Sequence, residues 1–146
     1  MKSFVYEAPT TLSDAVTMLN TQNGRARLLA GGTDLLVQMR ANLYDVDAVI
    51  DIKKIPELNQ ISYDAKNGLV IGAAVSCAAI YEHADVIAIY PGLIDAVSII
   101  GGIAIQGRAT LGGNICNASP SGDGLTRPRT YSRPRRVTVV GALRIV

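Results

Sequence analysis

Apolar and polar positions change rhythm along this chain, and the changes mark its elements. After a short apolar run at residues 4 to 6, "TTLSDAVTML" sets Leu12, Ala15, Val16 and Leu19 on one helical face, with Thr10 or Thr11 as the N-cap. Asn23-Gly24 breaks that helix. "ARLLA" at 26–30 then reads as a buried strand, "GGTD" as a turn, "LLVQMRANL" as a second helix and "DAVIDI" at 47–52 as a further buried strand. Alternating strand and helix in this way is what a small parallel sheet with crossover helices requires.

The grammar changes after Pro56. "NQISYD", the turn residues Lys66, Asn67 and Gly68, and "LVIGAA" predict an antiparallel hairpin, followed by a helix that Ser76 caps and that runs through His83. Leu93, Val97 and Ile100 share the face of a further helix, stopped by Gly101-Gly102. The apolar run at 86–105 has the length of a bilayer crossing. Asp95, Pro91 and the glycine pair favour a buried core instead, because a mid-span carboxylate costs about 2.5–3.5 kcal/mol on insertion. No membrane partner is expected. The fold class expected is α+β, in two lobes: a parallel βαβαβ lobe over residues 1–55 and an antiparallel sheet with helices over 56–126.

Composition narrows this picture. The chain has 146 residues, 49% apolar and 18% charged, enough for one filled core and too few for two independent domains. Its net charge of +2 hides an asymmetry: residues 1–126 hold 8 Lys/Arg and all 12 Asp/Glu, while 127–146 hold six Arg and no acid. Basic charge confined to one end excludes a nucleic-acid surface spread over the fold, and the expected partners include no nucleic acid. Cys77 and Cys116 lie 39 residues apart with no CxxC or Cys/His cluster beside them, so neither a metal site nor a disulfide framework is read. Reduced thiols fit a cytoplasmic chain. "MKSFVYEAPTTL" has no signal-peptide core, since Glu7 and Pro9 interrupt it.

Candidate chemistry sits in two glycine-rich stretches. In "LLAGGTDLL", 28–36, a buried strand runs into Gly31-Gly32 and a helix begins near Thr33 or Asp34, so backbone N–H groups and a helix dipole converge where a phosphate would fit. Taken alone, that stretch is better explained by a plain strand-to-helix turn; it is neither a P-loop nor a GxGxxG fingerprint. In "TLGGNICNASPSGD", 110–123, Thr110, Gly112, Gly113, Asn114, Asn117, Ser119 and Asp123 offer many donors and a carboxylate with no general base beside them. That set suits holding a ligand better than cutting one. Two such loops can clasp a diphosphate, with Asp123 accepting from a sugar or ribityl hydroxyl. His83 reads as a surface or helix-end residue, Cys116 and the tyrosines as packing, and Asp45, Asp47 and Asp51 as solvated strand ends.

With "YEAPTTLSDAVTML", "VIDIKKIPEL" and "LVIGAAV" in the same order, "LLAGGTDLLVQMR" and "ATLGGNICNASPSGD" resemble the flavin-binding signatures of the FAD subunit of molybdenum hydroxylases. This is the xanthine dehydrogenase and carbon monoxide dehydrogenase group, and the likeness spans about residues 3–126. It implies an FAD-binding domain in which Leu28, Leu29, Ala30, Gly31, Gly32, Thr33, Asp34 and Leu35 wrap the pyrophosphate. Thr110, Leu111, Gly112, Gly113 and Asn114 approach from the other lobe, Asp123 meets the ribityl chain and Ile100 lies against the flavin. It further implies a molybdopterin-containing large subunit and an iron–sulfur small subunit as partners, with electrons passing through flavin to an acceptor such as NAD. No residue of this chain is assigned a catalytic acid or base, since the isoalloxazine does the chemistry.

The likeness collapses after Gly124. "LTRPRTYSRPRR" cannot form the buried element the family has there, although "VTVVGALRIV" at 137–146 again reads as a strand. A reading-frame disturbance or truncation, a short variant with a basic docking tail, and a nucleic-acid-binding arm, since Arg-rich segments bind phosphates nonspecifically, all account for it. Two rival functions stay open: a single-chain flavin oxidase or reductase, and a non-enzymatic nucleotide-binding module or inactive fragment whose tail recruits a partner.

Overall fold

A computed structural model describes residues 2–22, 24–117 and 136–141. Strands β1 (Val5–Glu7), β2 (Ala26–Leu29) and β3 (Ala48–Asp51) form a parallel sheet in the order β1-β3-β2. Helix α1 (Leu12–Thr21) carries the chain from β1 across to β2, and α2 (Leu35–Arg40) brings it back to β3. Right-handed crossovers that run in opposite directions put their helices on opposite faces of a sheet. The cores agree. Ala15, Met18 and Leu19 of α1 pack with Ala26, Ala48 and Ile50, whereas Leu35 and Met39 of α2 pack with Leu29 and Val49.

Thr11 is the N-cap of α1: its Oγ1 accepts from the Asp14 N–H at 3.1 Å and donates to the Asp14 carboxylate at 2.7 Å. The buried face of α1 differs from the expected one. Ala15, Met18 and Leu19 turn inward, and Leu12 and Val16 stay 40% and 54% exposed. The spacing admitted both stripes, and the sheet decides between them by presenting small Ala26 and Ala48 to Ala15. Helix α2 is also shorter than the expected 35–43, because Asn42 adopts φ 56°, a left-handed conformation that ends a helix.

The second sheet contains β4 (Ile61–Asp64), β5 (Gly68–Gly72) and β6 (Val137–Val140). β4 and β5 form the expected antiparallel hairpin, and β6 adds a parallel strand on the other side of β5, so this sheet is mixed. Leu69 and Ile71 alternate inward onto α3 (Cys77–Tyr81), α4 (Ala84–Ile89) and α5 (Pro91–Ser98) through Cys77, Ile80, Val86, Tyr90, Leu93 and Val97. Ser76 caps α3 through the Ala79 N–H at 3.1 Å.

The helix expected through His83 stops at Tyr81, and His83, in an extended conformation, becomes the N-cap of α4. Pro91 then begins α5, since a proline lacks an N–H and disfavours helix at the residue before it. The run that equals a bilayer crossing in length is thereby cut into α4, α5 and α6 (Ile103–Gln106). No helix among the described residues is long and apolar enough to span a membrane. The two sheets share their filling: Leu58, from the 3-10 turn Pro56–Asn59, and Ala74 lie in the core under the first sheet.

Ile71 is fully buried while its neighbour Val70 faces the other side of β5 and is only partly covered. Ile71→Ala is therefore expected to lower the unfolding free energy by about 2–5 kcal/mol and Val70→Ala by clearly less, as read by urea denaturation.

Candidate functional site

Where β2 ends, the chain passes through Ala30, Gly31, Gly32, Thr33 and Asp34 before α2 begins. Those residues, with Leu28 and Leu35, form one wall of a cleft of about 240 Å³. The opposite wall is Ile100 and Ala109 with Thr110, Gly113, Asn114, Cys116 and Asn117, and Arg27, Gln38 and Tyr44 complete the lining. The glycine-rich stretch expected to be a loop begins instead as helix α7 (Leu111–Cys116), capped by Thr110, whose Oγ1 accepts from the Gly113 N–H at 2.9 Å. Its small residues let a helix pack where a loop was read.

The two walls touch directly. A Cβ on Gly31 would collide with the carbonyl oxygen of Arg108 and lie 3.0 Å from Cα of Ala109, so backbone meets backbone there without room for a side chain. Gly32, at φ +79°, then turns the chain into the cleft wall. On the other side Gly112 sits with its Cβ position 2.6 Å from the Ala73 backbone, seating α7 against the turn after β5. Across the cleft, the Gln38 side-chain amide donates to Oδ1 of Asn117 at 3.1 Å.

Behind the Gly31 turn lies a charged network that sequence reasoning missed. Nζ of Lys53 donates to the Ala30 carbonyl at 3.0 Å and to the Asp51 carboxylate at 2.8 Å. Nε of Arg108 donates to the Gly31 carbonyl at 3.4 Å. Asp51 also accepts from the Lys53 N–H at 2.9 Å and from the Tyr6 hydroxyl at 2.5 Å. Asp51, expected as a solvated strand end, is only 6% exposed. Burial pushes its carboxyl up, but hydrogen bonds from Lys53 and Tyr6 outweigh that and hold it below the ordinary carboxylate range. The Tyr6 hydroxyl is raised, first by its bond to Asp51 and then by burial. The signal was present in "DIKK", an acid and a base two apart at a strand end, which share a side.

The carbonyls of Ala30 and Gly31 thus face cations, those of Gly32 and Asp34 accept from the Leu36 and Gln38 N–H groups, and the N–H groups of the turn have no such claim on them. Among the described residues, the amides of Gly31, Gly32, Thr33, Asp34 and Leu35 donate to no protein acceptor. The side chain of Asp34, at the N-cap of α2, makes no capping bond that would occupy them. Five successive donors at a cleft wall make a seat for an anion. α2 has six residues, too few for the helix dipole to carry the weight the sequence reading gave it.

Of the residues singled out from the sequence, Leu28, Ala30, Gly31, Gly32, Thr33, Asp34, Leu35, Ile100, Thr110, Gly113 and Asn114 line this one cleft. Leu29, Leu111 and Gly112 do not; they are buried in the packing behind it. Asp123 and Ser119 lie outside the described residues. Tyr44, read as packing, stands at the cleft under the Arg27 guanidinium, 4.9 Å from ring centroid to Cζ, and Tyr63 meets Tyr90 edge to face at 6.1 Å. Cys116 lines the cleft, whereas Cys77 is fully buried and burial pushes its thiol up to about 11.

Residues 2–127 match the family described as the FAD binding domain in molybdopterin dehydrogenase. Over 126 residues the chain is 36% identical to the xanthine dehydrogenase FAD-binding subunit of Escherichia coli O157:H7, covering 86% of this chain and 43% of that protein. It is 34% identical to the carbon monoxide dehydrogenase medium chain of Hydrogenophaga pseudoflava, over 82% of this chain and 42% of that one. A solved structure of reconstituted CO dehydrogenase from Oligotropha carboxidovorans superposes with a TM-score of 0.80 at 30% identity, over 84% of this chain and 43% of its own. The chain therefore spans less than half the length of the curated relatives it matches.

Because the Asp51 carboxyl is lowered in the folded state, its contribution is fully present above the unfolded value of about 4 and is lost as pH falls through the folded one. Asp51→Asn is expected to cost about 1–3 kcal/mol at neutral pH. Urea denaturation from neutral to acid pH checks both points: the gap between wild type and Asp51→Asn should close as the pH drops.

Proposed function

The chain belongs to the family of FAD-binding domains in molybdopterin dehydrogenases, and on that premise we propose that its cleft holds the diphosphate of FAD and that it serves as the flavin-carrying part of a molybdenum-dependent hydroxylase of the xanthine dehydrogenase type. The observation that carries this reading is the row of five backbone donors, Gly31 to Leu35, with no acceptor among the described residues, at the wall of a cleft between the two sheets. Flavin phosphates are the anion such a row suits, and the described residues lining the cleft include no cluster of acids and bases that would argue for hydrolysis.

FAD, when bound, supplies the redox chemistry through which electrons pass from iron–sulfur centres on a partner to an acceptor such as NAD. The residues of this chain bind and orient. Leu28 and Ala30 to Leu35 shape the diphosphate seat, Thr110, Gly113 and Asn114 close on it from the far wall, and Ile100 offers an apolar surface for the ring system. Leu29, Leu111 and Gly112 act behind them by packing, and Asp123 is proposed for the ribityl hydroxyls. A volume of about 240 Å³ falls below the roughly 300–1,000 Å³ of a complete small-molecule pocket, which suits enclosure of part of a dinucleotide. A molybdopterin-containing large subunit and an iron–sulfur small subunit are the partners we infer, as the family resemblance of the sequence implies.

Titration of refolded or co-expressed protein with FAD, followed by flavin fluorescence, tests the assignment. Saturable binding is expected, and a preparation that never acquires a flavin spectrum overturns it. Gly31→Ala should weaken that binding at least tenfold by forcing the Arg108 segment away. A thiol reagent should modify Cys116 far faster than Cys77 in the native protein, and bound FAD should slow the Cys116 reaction; equal rates with and without FAD would place the ligand elsewhere.

A further inference from the structure

The close approach of the two cleft walls requires glycine at position 31, and glycine at 31 and 32 leaves the peptide planes between Ala30 and Thr33 free to rotate. Something else must hold them. A trans peptide is a rigid plane in which the carbonyl of one residue and the N–H of the next point in opposite directions. Nζ of Lys53 donates to the Ala30 carbonyl at 3.0 Å, so the Gly31 N–H is turned away from Lys53. Nε of Arg108 donates to the Gly31 carbonyl at 3.4 Å, which turns the Gly32 N–H away from Arg108. Gly31 and Gly32 line the cleft, whereas Lys53 and Arg108 do not.

Of the two cations, Lys53 is the better anchored. Its Nζ also donates to the Asp51 carboxylate at 2.8 Å, and Asp51 is itself fixed by the Tyr6 hydroxyl at 2.5 Å and the Lys53 N–H at 2.9 Å. Asp51 ends β3, the central strand, and Tyr6 lies on β1. The grip on Ala30, just past β2, is thus tied across all three strands of the first sheet. Because Asp51 is buried, water competes little for its carboxylate, and the pair holds Lys53 more firmly than an exposed ion pair would. Arg108 is an exposed side chain with a longer contact, and it is the weaker brace.

From this we propose that Lys53, held by Asp51 and Tyr6, is a positioning residue for anion binding: its grip on the Ala30 carbonyl fixes the next peptide with the Gly31 N–H toward the diphosphate. Lys53 touches no ligand. It acts by sparing the glycine turn the cost of ordering its peptide planes at each binding event, so its effect falls on the phosphate part of a ligand. The inference rests on the FAD reading for its ligand, but its chemistry requires only a diphosphate.

Wild type, Lys53→Met and the double variant Asp51→Asn/Lys53→Met are each titrated with FAD, ADP and riboflavin, and the Gly31 and Gly32 amides are followed by NMR without ligand. Lys53→Met is expected to weaken FAD and ADP about tenfold and to leave riboflavin within about twofold, with both amide resonances displaced. The double variant removes one charge of each sign, so a mere long-range pull of Lys53 on the anion would be cancelled in it while a lost grip would not. It should show the same loss as Lys53→Met. It also carries the test if Lys53→Met, which leaves a buried carboxylate without its cation, does not fold. Wild-type affinity for FAD and ADP in either variant overturns the inference, as does a loss shared equally by riboflavin or Gly31 and Gly32 amides that stay in place. If wild type takes ADP in a Lys53-dependent way but not FAD, the positioning role holds and the flavin reading falls. If wild type takes neither, both fall.

Discussion

The structure depends on one backbone-to-backbone contact. Gly31, just past the end of β2, lies against the carbonyl of Arg108 and Cα of Ala109, with no space for a Cβ between them. That contact brings the parallel sheet and the helices of the second sheet to one cleft. A side chain at this point would hold the walls apart by at least its own radius, and close-packed interiors absorb such changes poorly. Gly112 against Ala73 sets the far wall in the same manner. The two glycines act as spacers of zero thickness, one for each wall.

What makes the contact useful is the way polar groups are divided around it. Leaving a buried backbone group unpaired costs about 1–3 kcal/mol. On the covered side of the turn that cost is avoided, because Lys53 and Arg108 take up the carbonyls of Ala30 and Gly31, with Asp51 and Tyr6 holding Lys53 in turn. On the open side the N–H groups of residues 31–35 have no acceptor among the described residues, and those residues line a cleft that water or a ligand can reach. The turn is therefore satisfied on one side and available on the other. A capping carboxylate from Asp34 would have closed that availability, and its side chain makes no such bond.

The second sheet supplies more than a wall. Leu58 and Ala74 complete the core under the first sheet, so the two halves fold onto a shared interior. Residues 136–141 close the second sheet on the far side of β5 through bonds such as Ala73 N–H to the Val140 carbonyl at 2.9 Å.

Periodicity and punctuation sufficed for the alternating strands and helices of residues 4–52, the hairpin at 61–72, the caps at Thr11 and Ser76, and the two glycine-rich stretches as a paired candidate site. Each of these is written in residues within a few positions of one another, so local sterics and hydrogen bonding determine it. Other features needed the assembled chain. Whether Leu12 or Met18 turns inward depends on which residues the sheet presents to α1. That Asp51 is buried depends on Tyr6, 45 residues away, reaching its carboxylate. That Arg108 braces Gly31, and that Gly112 packs while Gly113 lines the cleft, follows from where α7 settles against Ala73. These are contacts between segments distant in sequence. They exist only once burial has brought the segments together, and no local pattern records them.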